Sequence, residues 1–162
     1  MVKVIVYSDG ASRGNPGPSG AGAVLEDGSG NILQRLKKRL PPTTNNVAEY
    51  QGAIVGLQAA RAAGATAVEL RADSELLIRQ LEGTYRVKAS HLRPLHDEAM
   101  RLLRGFSKVK LTHVPREKNA LADRLANEAI DDGGSAQEKG DKHGERRDRQ
   151  TQLEIPWDEG EA

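Results

Sequence analysis

The first ten residues constrain the fold more than any other stretch of the chain. Residues 4–7 form an apolar run with β-branched members, and Ser8, Asp9 and Gly10 lead from it into a segment rich in glycine and proline. Such a run predicts a strand buried on both faces, in the middle of a sheet. The strand ends in the Asp9 carboxylate at the sheet edge, where open α/β sheets bind ligands. We interpret Asp9 as a metal ligand; the alternative is that Asp-Gly only forms a turn.

The length and the cysteine content limit the class of protein. A chain of 162 residues is long enough for one domain with a proper hydrophobic core and too short for two domains that each have one. It has no cysteine, which excludes disulfides, thiolate catalysis and cysteine metal sites and favours a cytoplasmic location. No apolar run approaches membrane length, and the N-terminus lacks the layout of a secretory signal, so we expect no membrane partner.

Charge divides the chain into two parts. Residues 131–162 contain ten acidic and five basic residues, a net charge of −5, which leaves +6 on residues 1–130. A basic domain suggests a polyanionic partner, although surface lysine and arginine also serve solubility. We predict a folded domain over residues 1–130 and an acidic, disordered tail over 131–162. In that tail Leu153, Ile155 and Trp157 form either a docking motif for a partner or a stray apolar cluster.

The remaining pattern predicts an α/β fold in which strands and helices alternate. Four further strands are predicted from alternating apolar residues and turn signals, over Gly20–Glu26, Asn31–Leu40, Ala67–Ala72 and Lys108–Val114. We expect Pro41-Pro42 to end the third strand. Four helices are predicted, over residues 47–63, 74–83, 91–104 and 120–130, the last capped by Asn119.

Four acidic residues stand at the ends of these elements, namely Asp9, Glu49, Asp73 and Asp123. If the first and fourth strands pair in parallel, a right-handed crossover brings Asp9 and Asp73 to the same edge of the sheet. Structural roles remain open for two of these residues. Asn46 with Glu49 matches a capping box, and Asp73 suits a helix N-cap.

Convergence of these carboxylates requires cations between them. Two carboxylates 4 to 6 Å apart repel by about 3 to 4 kcal/mol at an effective dielectric constant near 20. Oxygen ligands without cysteine favour Mg²⁺ or Mn²⁺ over zinc, and two such ions suit in-line displacement at phosphorus.

Four motifs, in chain order, resemble those of type 1 ribonuclease H: Ser8-Asp9-Gly10 with residues 14–18, Thr43–Glu49, Ala72-Asp73-Ser74, and His113–Asn119 through Asp123–Ala126. The resemblance implies a mixed five-stranded sheet, three antiparallel strands and then parallel ones, flanked by helices. It also implies that a monomer cleaves the RNA strand of RNA/DNA hybrids with two Mg²⁺ ions, or Mn²⁺, leaving 5′-phosphate and 3′-hydroxyl ends.

The resemblance also implies a role for each site residue. Asp9 would bridge both ions, Asp123 would complete the site of the water-activating ion, and Glu49 and Asp73 would hold the ion at the leaving oxygen. His113 would assist proton transfer or product release. The implied substrate contacts are Gly10, Asn15, Thr44, Asn45 and Asn46. The last four also suit caps and turns.

Two departures from the family pattern affect substrate binding. The link from Gly83 to Leu92 has no lysine-rich, tryptophan-bearing helix, so the chain resembles members that lack the basic protrusion. Affinity should then fall steeply with salt. Glu75 adds a negative charge where many relatives have an uncharged residue. Two rival functions remain: a related nuclease with another nucleic-acid substrate, and a catalytically silent hybrid-binding module.

Overall fold

The computed structural model describes residues 2–132 and 136–139, with side chains described over 2–132. Its strands are β1 (Lys3–Ser12), β2 (Gly17–Glu26), β3 (Ile32–Thr43), β4 (Ala67–Ala72), β5 (Lys108–His113) and β6 (Ala136–Lys139). Its α-helices are α1 (Asn45–Ala62), α2 (Glu75–Glu82), α3 (Arg93–Leu103) and α4 (Ala120–Asp132), and short 3₁₀ turns cover Ser90–Leu92 and Arg116–Lys118. Within the described residues no helix is long and apolar enough to cross a membrane.

The sheet is mixed, and its strand order is β5-β4-β1-β2-β3-β6. Strands β1, β2 and β3 pair antiparallel, whereas β4 and β5 continue from β1 in parallel. The predicted five-stranded arrangement is therefore confirmed, and β6 adds a short strand at the β3 edge. Strand β1 lies inside the sheet, as its apolar run predicts, with Val4 and Val6 almost fully buried.

Helices cover both faces of the sheet. On one face, α1, α2 and α3 contribute Leu57, Ile78 and Leu102 to the main core, together with Val4 and Val6 of β1. On the other face, Ala122 and Leu125 of α4 pack against Val24 of β2.

Two glycines allow the helices to approach the strands closely. A Cβ atom on Gly10 of β1 would overlap the Ala48 carbonyl of α1, and one on Gly22 of β2 would crowd the Ala122 carbonyl of α4. The small residues in β2 therefore admit a helix. The residues after Ala48 and Ala122 are Glu49 and Asp123, so these contacts help to position both carboxylates.

Strand β3 is longer than predicted. It continues through Pro41 and Pro42 to Thr43, because the register with β2 shifts between Ser19 and Gly17. The prolines lie in this irregularity, where a missing backbone N–H is tolerated. At this point the Ser19 hydroxyl takes the place of a backbone acceptor in the strand pairing. It accepts a hydrogen bond of 3.2 Å from the Thr43 N–H.

The end of the folded part also differs from the sequence prediction. Helix α4 continues to Asp132, and Ala136–Lys139 pair antiparallel with residues 34–37 of β3. Both segments fall within the predicted disordered tail. Periodicity could not identify β6, because four polar or small residues acquire their structure only from the neighbouring strand. The apolar cluster Leu153, Ile155 and Trp157 lies outside the described residues.

Candidate active site

Three of the predicted site carboxylates meet at the carboxyl-terminal edge of β4, above the middle of β1. One carboxylate oxygen from each of Asp9, Glu49 and Asp73 lies within 4.8 Å of the other two. The parallel pairing of β1 with β4 explains the arrangement, because Ser8 pairs with Ala72 and the next residues are Asp9 and Asp73. Helix α1, which packs against β1, contributes Glu49 to the cluster.

Asp123 lies beside this cluster without being one of its three members. It stands in the first turn of α4, on the other face of the sheet, and its carboxyl group contributes to raising the pKa of Asp9. Its charge also acts on Glu49. The fold thus assembles all four predicted acidic residues around the middle of β1, which continues past Asp9 to Ser12, with Asp9 between the two helices.

Burial and mutual repulsion strongly perturb the two central carboxyl groups. Burial raises the pKa of Asp9 to about 10, and the charges of Glu49 and Asp73 act in the same direction. Burial, followed by the charge of Asp73, raises the pKa of Glu49 to about 8. The backbone N–H of Gly10 acts on both carboxyl groups in the opposite direction and lowers their pKa.

The alternative helix-capping roles of Glu49 and Asp73 are wrong. The cap of α1 is Thr44, whose hydroxyl accepts from the Val47 N–H at 3.4 Å, so Asn46 and Glu49 do not form a capping box. The cap of α2 is Ser74, whose hydroxyl accepts from the Leu77 N–H at 3.2 Å. Neither acidic side chain is needed to complete a helix.

The cluster fits a divalent cation. One oxygen of Glu49 is buried without a hydrogen-bond partner in the described part of the chain, a costly arrangement unless a cation compensates it. The oxygens of Asp9, Glu49 and Asp73 lie close enough together to surround an ion whose ligands sit at about 2.1 to 2.5 Å. An all-carboxylate donor set suits Mg²⁺ or Mn²⁺.

Asn119 has a supporting role that the sequence analysis missed. It does not cap α4 with its side chain; instead, its buried amide donates a hydrogen bond of 2.8 Å to the Ser8 carbonyl in β1. The backbone carbonyl of Asn119 accepts a hydrogen bond of 3.1 Å from the Asp123 N–H. Asn119 therefore connects the backbone beside Asp9 to the helical turn that carries Asp123.

Asn127 orients the other side of that turn. Its amide donates to the Asp123 carbonyl at 3.0 Å and lies 3.4 Å from the carboxylate oxygen Oδ1. Arg13, in the turn after β1, donates to Asn127 Oδ1 at 3.1 Å and to Asp131 at 2.6 Å. The only sequence signal for these roles is spacing, because Asn119 and Asn127 stand four residues before and after Asp123.

The predicted substrate contacts gather at the N-terminal end of α1. The side-chain oxygen of Asn15 accepts a hydrogen bond of 3.1 Å from the Asn45 N–H, which holds the turn after β1 against the helix. Asn15, Asn45 and Asn46 are exposed, and Thr44, the cap residue, is half-buried. Gly10 is buried beneath α1, so only its backbone serves the site.

His113 and Glu75 lie on the periphery of the cluster. His113 ends β5 in register with Ala72, one residue before Asp73, and its side chain is exposed. Glu75 is also exposed and pairs with Arg79 one helical turn later, at 3.5 Å. This ion pair offsets part of the extra negative charge noted in the sequence. Between Glu82 and Arg93 the link contains only a short 3₁₀ turn, in keeping with the absence of a basic protrusion.

Comparisons with known proteins agree with this geometry. Residues 7–129 match a protein family described as reverse transcriptase-like. Over 130 residues the chain is 46% identical to a ribonuclease HI of Halobacterium salinarum, covering 80% of this chain and 65% of that protein. It is 43% identical to a bifunctional protein of Mycobacterium tuberculosis, covering 80% of this chain and only 36% of that protein.

Solved structures extend the similarity to the whole fold. The Halobacterium salinarum ribonuclease H1 structure has a TM-score of 0.79 at 46% identity, covering 80% of this chain and 98% of that one. LC11-RNase H1, isolated from compost by metagenomics and solved in complex with an RNA/DNA hybrid, has a TM-score of 0.76 at 41% identity, covering 80% and 98%. The sequence motifs, the mixed sheet and these relatives place the chain in the type 1 ribonuclease H family.

Proposed function

We propose that this protein is an endonuclease that hydrolyses the RNA strand of RNA/DNA hybrids. The observation that carries the proposal is the convergence of Asp9, Glu49 and Asp73 within 4.8 Å, with Asp123 near enough to affect the pKa of Asp9. A module that only bound polyanions would gain nothing from clustered negative charge. Support for the substrate comes from LC11-RNase H1, which was solved with an RNA/DNA hybrid.

Two Mg²⁺ ions, or Mn²⁺, are the proposed cofactors. Asp9 would contribute to both ion sites, with Asp123 on one side and Glu49 and Asp73 on the other. When bound, the ions lower the pKa of a water molecule and stabilise charge on the attacking and leaving oxygens. Attack at phosphorus with departure of the 3′-oxygen leaves 5′-phosphate and 3′-hydroxyl ends.

The protein's own groups hold this arrangement and move protons around it. The Gly10 N–H favours the charged forms of Asp9 and Glu49 by lowering their pKa, and the Asn119 side chain joins α4 to β1. His113, exposed at the end of β5, would accept or release a proton at the substrate or product. An imidazole suits this role because its ordinary pKa is near neutral pH.

Recognition of the hybrid would use the N-terminal end of α1. The exposed amides of Asn15, Asn45 and Asn46 can reach 2′-hydroxyl groups and base edges in a minor groove. Thr44 would contact a DNA-strand phosphate. A hydroxyl has one donor and two acceptor positions, so the Thr44 side chain can donate to phosphate while it accepts the cap hydrogen bond from Val47.

A substrate panel tests the proposal against its two rivals. We expect cleavage of an RNA/DNA hybrid with Mg²⁺ and none with EDTA, while duplex DNA and duplex RNA stay intact. Preference for another nucleic acid would support the related nuclease, and hybrid binding without cleavage would support the silent module. The cytoplasmic location and the monomeric state stay predictions.

A further inference from the structure

The carboxylate of Asp123 is held by a side chain one helical turn later. The Nδ2 atom of Asn127 lies 3.0 Å from the Asp123 backbone carbonyl and 3.4 Å from the carboxylate oxygen Oδ1. An amide nitrogen carries two hydrogens, so it can donate to both oxygens at once. Among residues 2–132, no other N–H group donates to this carboxylate. The orientation of the Asp123 carboxylate therefore depends on the orientation of the Asn127 amide.

Arg13 determines which end of that amide faces Asp123. Its Nη2 atom donates to Asn127 Oδ1 at 3.1 Å and to the Asn127 backbone carbonyl at 3.4 Å. A guanidinium has N–H donors and no acceptor, so it binds the amide through its oxygen and leaves the amide nitrogen for Asp123. The reversed amide would place its nitrogen against the guanidinium and its oxygen against the carboxylate. Both contacts would be repulsive.

The Arg13 guanidinium is itself fixed on α4. Its Nη1 atom forms an ion pair of 2.6 Å with Asp131, and its Nη2 atom binds Asn127. Both terminal nitrogens are therefore engaged by the helix that carries Asp123. This arrangement favours a role inside the protein over the binding of a phosphate group.

The turn that carries Arg13 is also held from its other side. The Arg13 N–H donates to the Pro18 carbonyl at 2.8 Å, which closes the turn. Asn15 accepts a hydrogen bond of 3.1 Å from the Asn45 N–H at the beginning of α1. The turn thus lies fixed between α1 and α4, and the contact between Arg13 and Asn127 connects it to the carboxylate of Asp123.

We propose that Asn127, held in its orientation by Arg13, is a positioning residue for Asp123 and sets the affinity of the ion that Asp123 ligates. The inference rests on the proposed function, in which Asp123 completes one of the two ion sites. A carboxylate has two oxygens, so Asp123 can accept from Asn127 and still ligate an ion. Removing a group that orients a metal ligand typically costs about 10- to 100-fold in metal affinity or activity.

A Mg²⁺ titration of hybrid cleavage tests the proposal in two variants. Asn127→Ala removes the donor to Asp123, and the half-activating Mg²⁺ concentration should rise about tenfold. Arg13→Gln removes the group that orients the amide, and the same concentration should rise several-fold. KM for the hybrid should stay near the wild-type value, because neither side chain is a proposed substrate contact. A merely structural role would lower the melting temperature without changing the Mg²⁺ requirement.

Calorimetry with Mn²⁺ alone gives a second readout that does not depend on cleavage. Without nucleic acid, both variants should bind Mn²⁺ several-fold more weakly than the wild type. A wild-type protein that cleaved no hybrid would contradict the proposed function, yet its Mn²⁺ affinity relative to the variants would still decide this inference.

Arg101→Gln is the matched control. Arg101 of α3 is exposed and forms an ion pair of 2.6 Å with Glu98, so the control also loses a guanidinium and an exposed ion pair of the same length. It should leave the Mg²⁺ requirement and the Mn²⁺ affinity unchanged. Wild-type values of both quantities in Asn127→Ala would overturn the proposal. An Arg13→Gln protein that behaves like the control would overturn the role of Arg13.

Discussion

The Asn119 side chain donates a hydrogen bond of 2.8 Å to the Ser8 carbonyl and thereby joins α4 to β1 beside the acidic cluster. Asn119 is 1% exposed, so this bond is shielded from solvent. Four residues later, Asp123 receives its position from the same turn. The separation between Asp9 and Asp123 thus depends on a residue that carries no charge.

Replacing Asn119 should affect both stability and metal dependence. Asn119→Ala leaves the Ser8 carbonyl buried without its donor, which costs about 1 to 3 kcal/mol of unfolding free energy. Asp123 loses its fixed position as well, so hybrid cleavage should require a higher Mg²⁺ concentration than in the wild type. Urea denaturation and a Mg²⁺ titration of cleavage measure the two effects.

Asn31→Ala provides the matched control for this prediction. Asn31 lies in the β2–β3 turn, where its side chain binds only the neighbouring Asp27, at 3.1 Å. Its replacement should change the unfolding free energy by less than about 0.5 kcal/mol, as is usual for exposed residues. An Asn119→Ala protein with wild-type Mg²⁺ dependence would contradict the positioning role.

Gly10→Ala should be severely destabilising although it adds one methyl group. The new Cβ would overlap the Ala48 carbonyl, so α1 must move away from β1 and carry Glu49 with it. Overpacking of this kind costs about 3 kcal/mol or more. Gly28→Ala is the control, because a Cβ there meets nothing within 4 Å. Thermal unfolding compares the two variants, and similar melting temperatures would refute the close contact.

The role of Thr44 as the N-cap of α1 can be measured separately from its proposed contact with substrate. Thr44→Ala removes the hydroxyl that accepts from the Val47 N–H and should cost about 1 kcal/mol of stability, whereas Thr44→Ser retains the cap. If Thr44 also contacts phosphate, Thr44→Ala should raise KM for the hybrid while kcat stays near the wild-type value. Urea denaturation and steady-state kinetics give the two readouts. A KM unchanged in Thr44→Ala would leave Thr44 only its structural role.

The raised pKa values of Asp9 and Glu49 predict how pH acts on the metal-free protein. Burial raises them from 3.8 to about 10 and from 4.5 to about 8. A carboxyl group whose pKa is raised by folding contributes its full stability below its unfolded pKa, and the contribution is lost as pH rises through the folded value. The metal-free protein should therefore lose this contribution as pH rises from about 4 to 10.

Asp9→Asn isolates this effect from other titrations. In EDTA the variant should become more stable than the wild type as pH rises, since an amide has no charge to bury. Added Mg²⁺ should remove the difference, because the cation compensates the Asp9 carboxylate. Urea denaturation at several pH values measures the free energies. A difference that does not change with pH would show that Asp9 does not carry the raised pKa.

The acidic cluster was predictable because Asp9 follows a clear apolar run, and Glu49, Asp73 and Asp123 stand near the beginning of a helix. Parallel pairing of β1 with β4 brings Asp9 and Asp73 together, although β1 continues past Asp9 to Ser12 instead of ending there. The role of Asn119 was not predictable, because the choice between capping α4 and bonding to Ser8 depends on how closely α4 approaches β1. The continuation of β3 through Pro41 likewise depends on a register shift opposite Ser19, which local sequence does not determine.

The central claim is that carboxylates distant in sequence act together on bound cations to cleave the hybrid. Asp9→Asn tests it most directly, with cleavage and binding of one RNA/DNA hybrid measured in Mg²⁺ on the same preparation. The account predicts that cleavage is abolished while the dissociation constant for the hybrid changes little, because the substrate contacts lie on α1 and the turn after β1. Substantial residual cleavage by Asp9→Asn would contradict it.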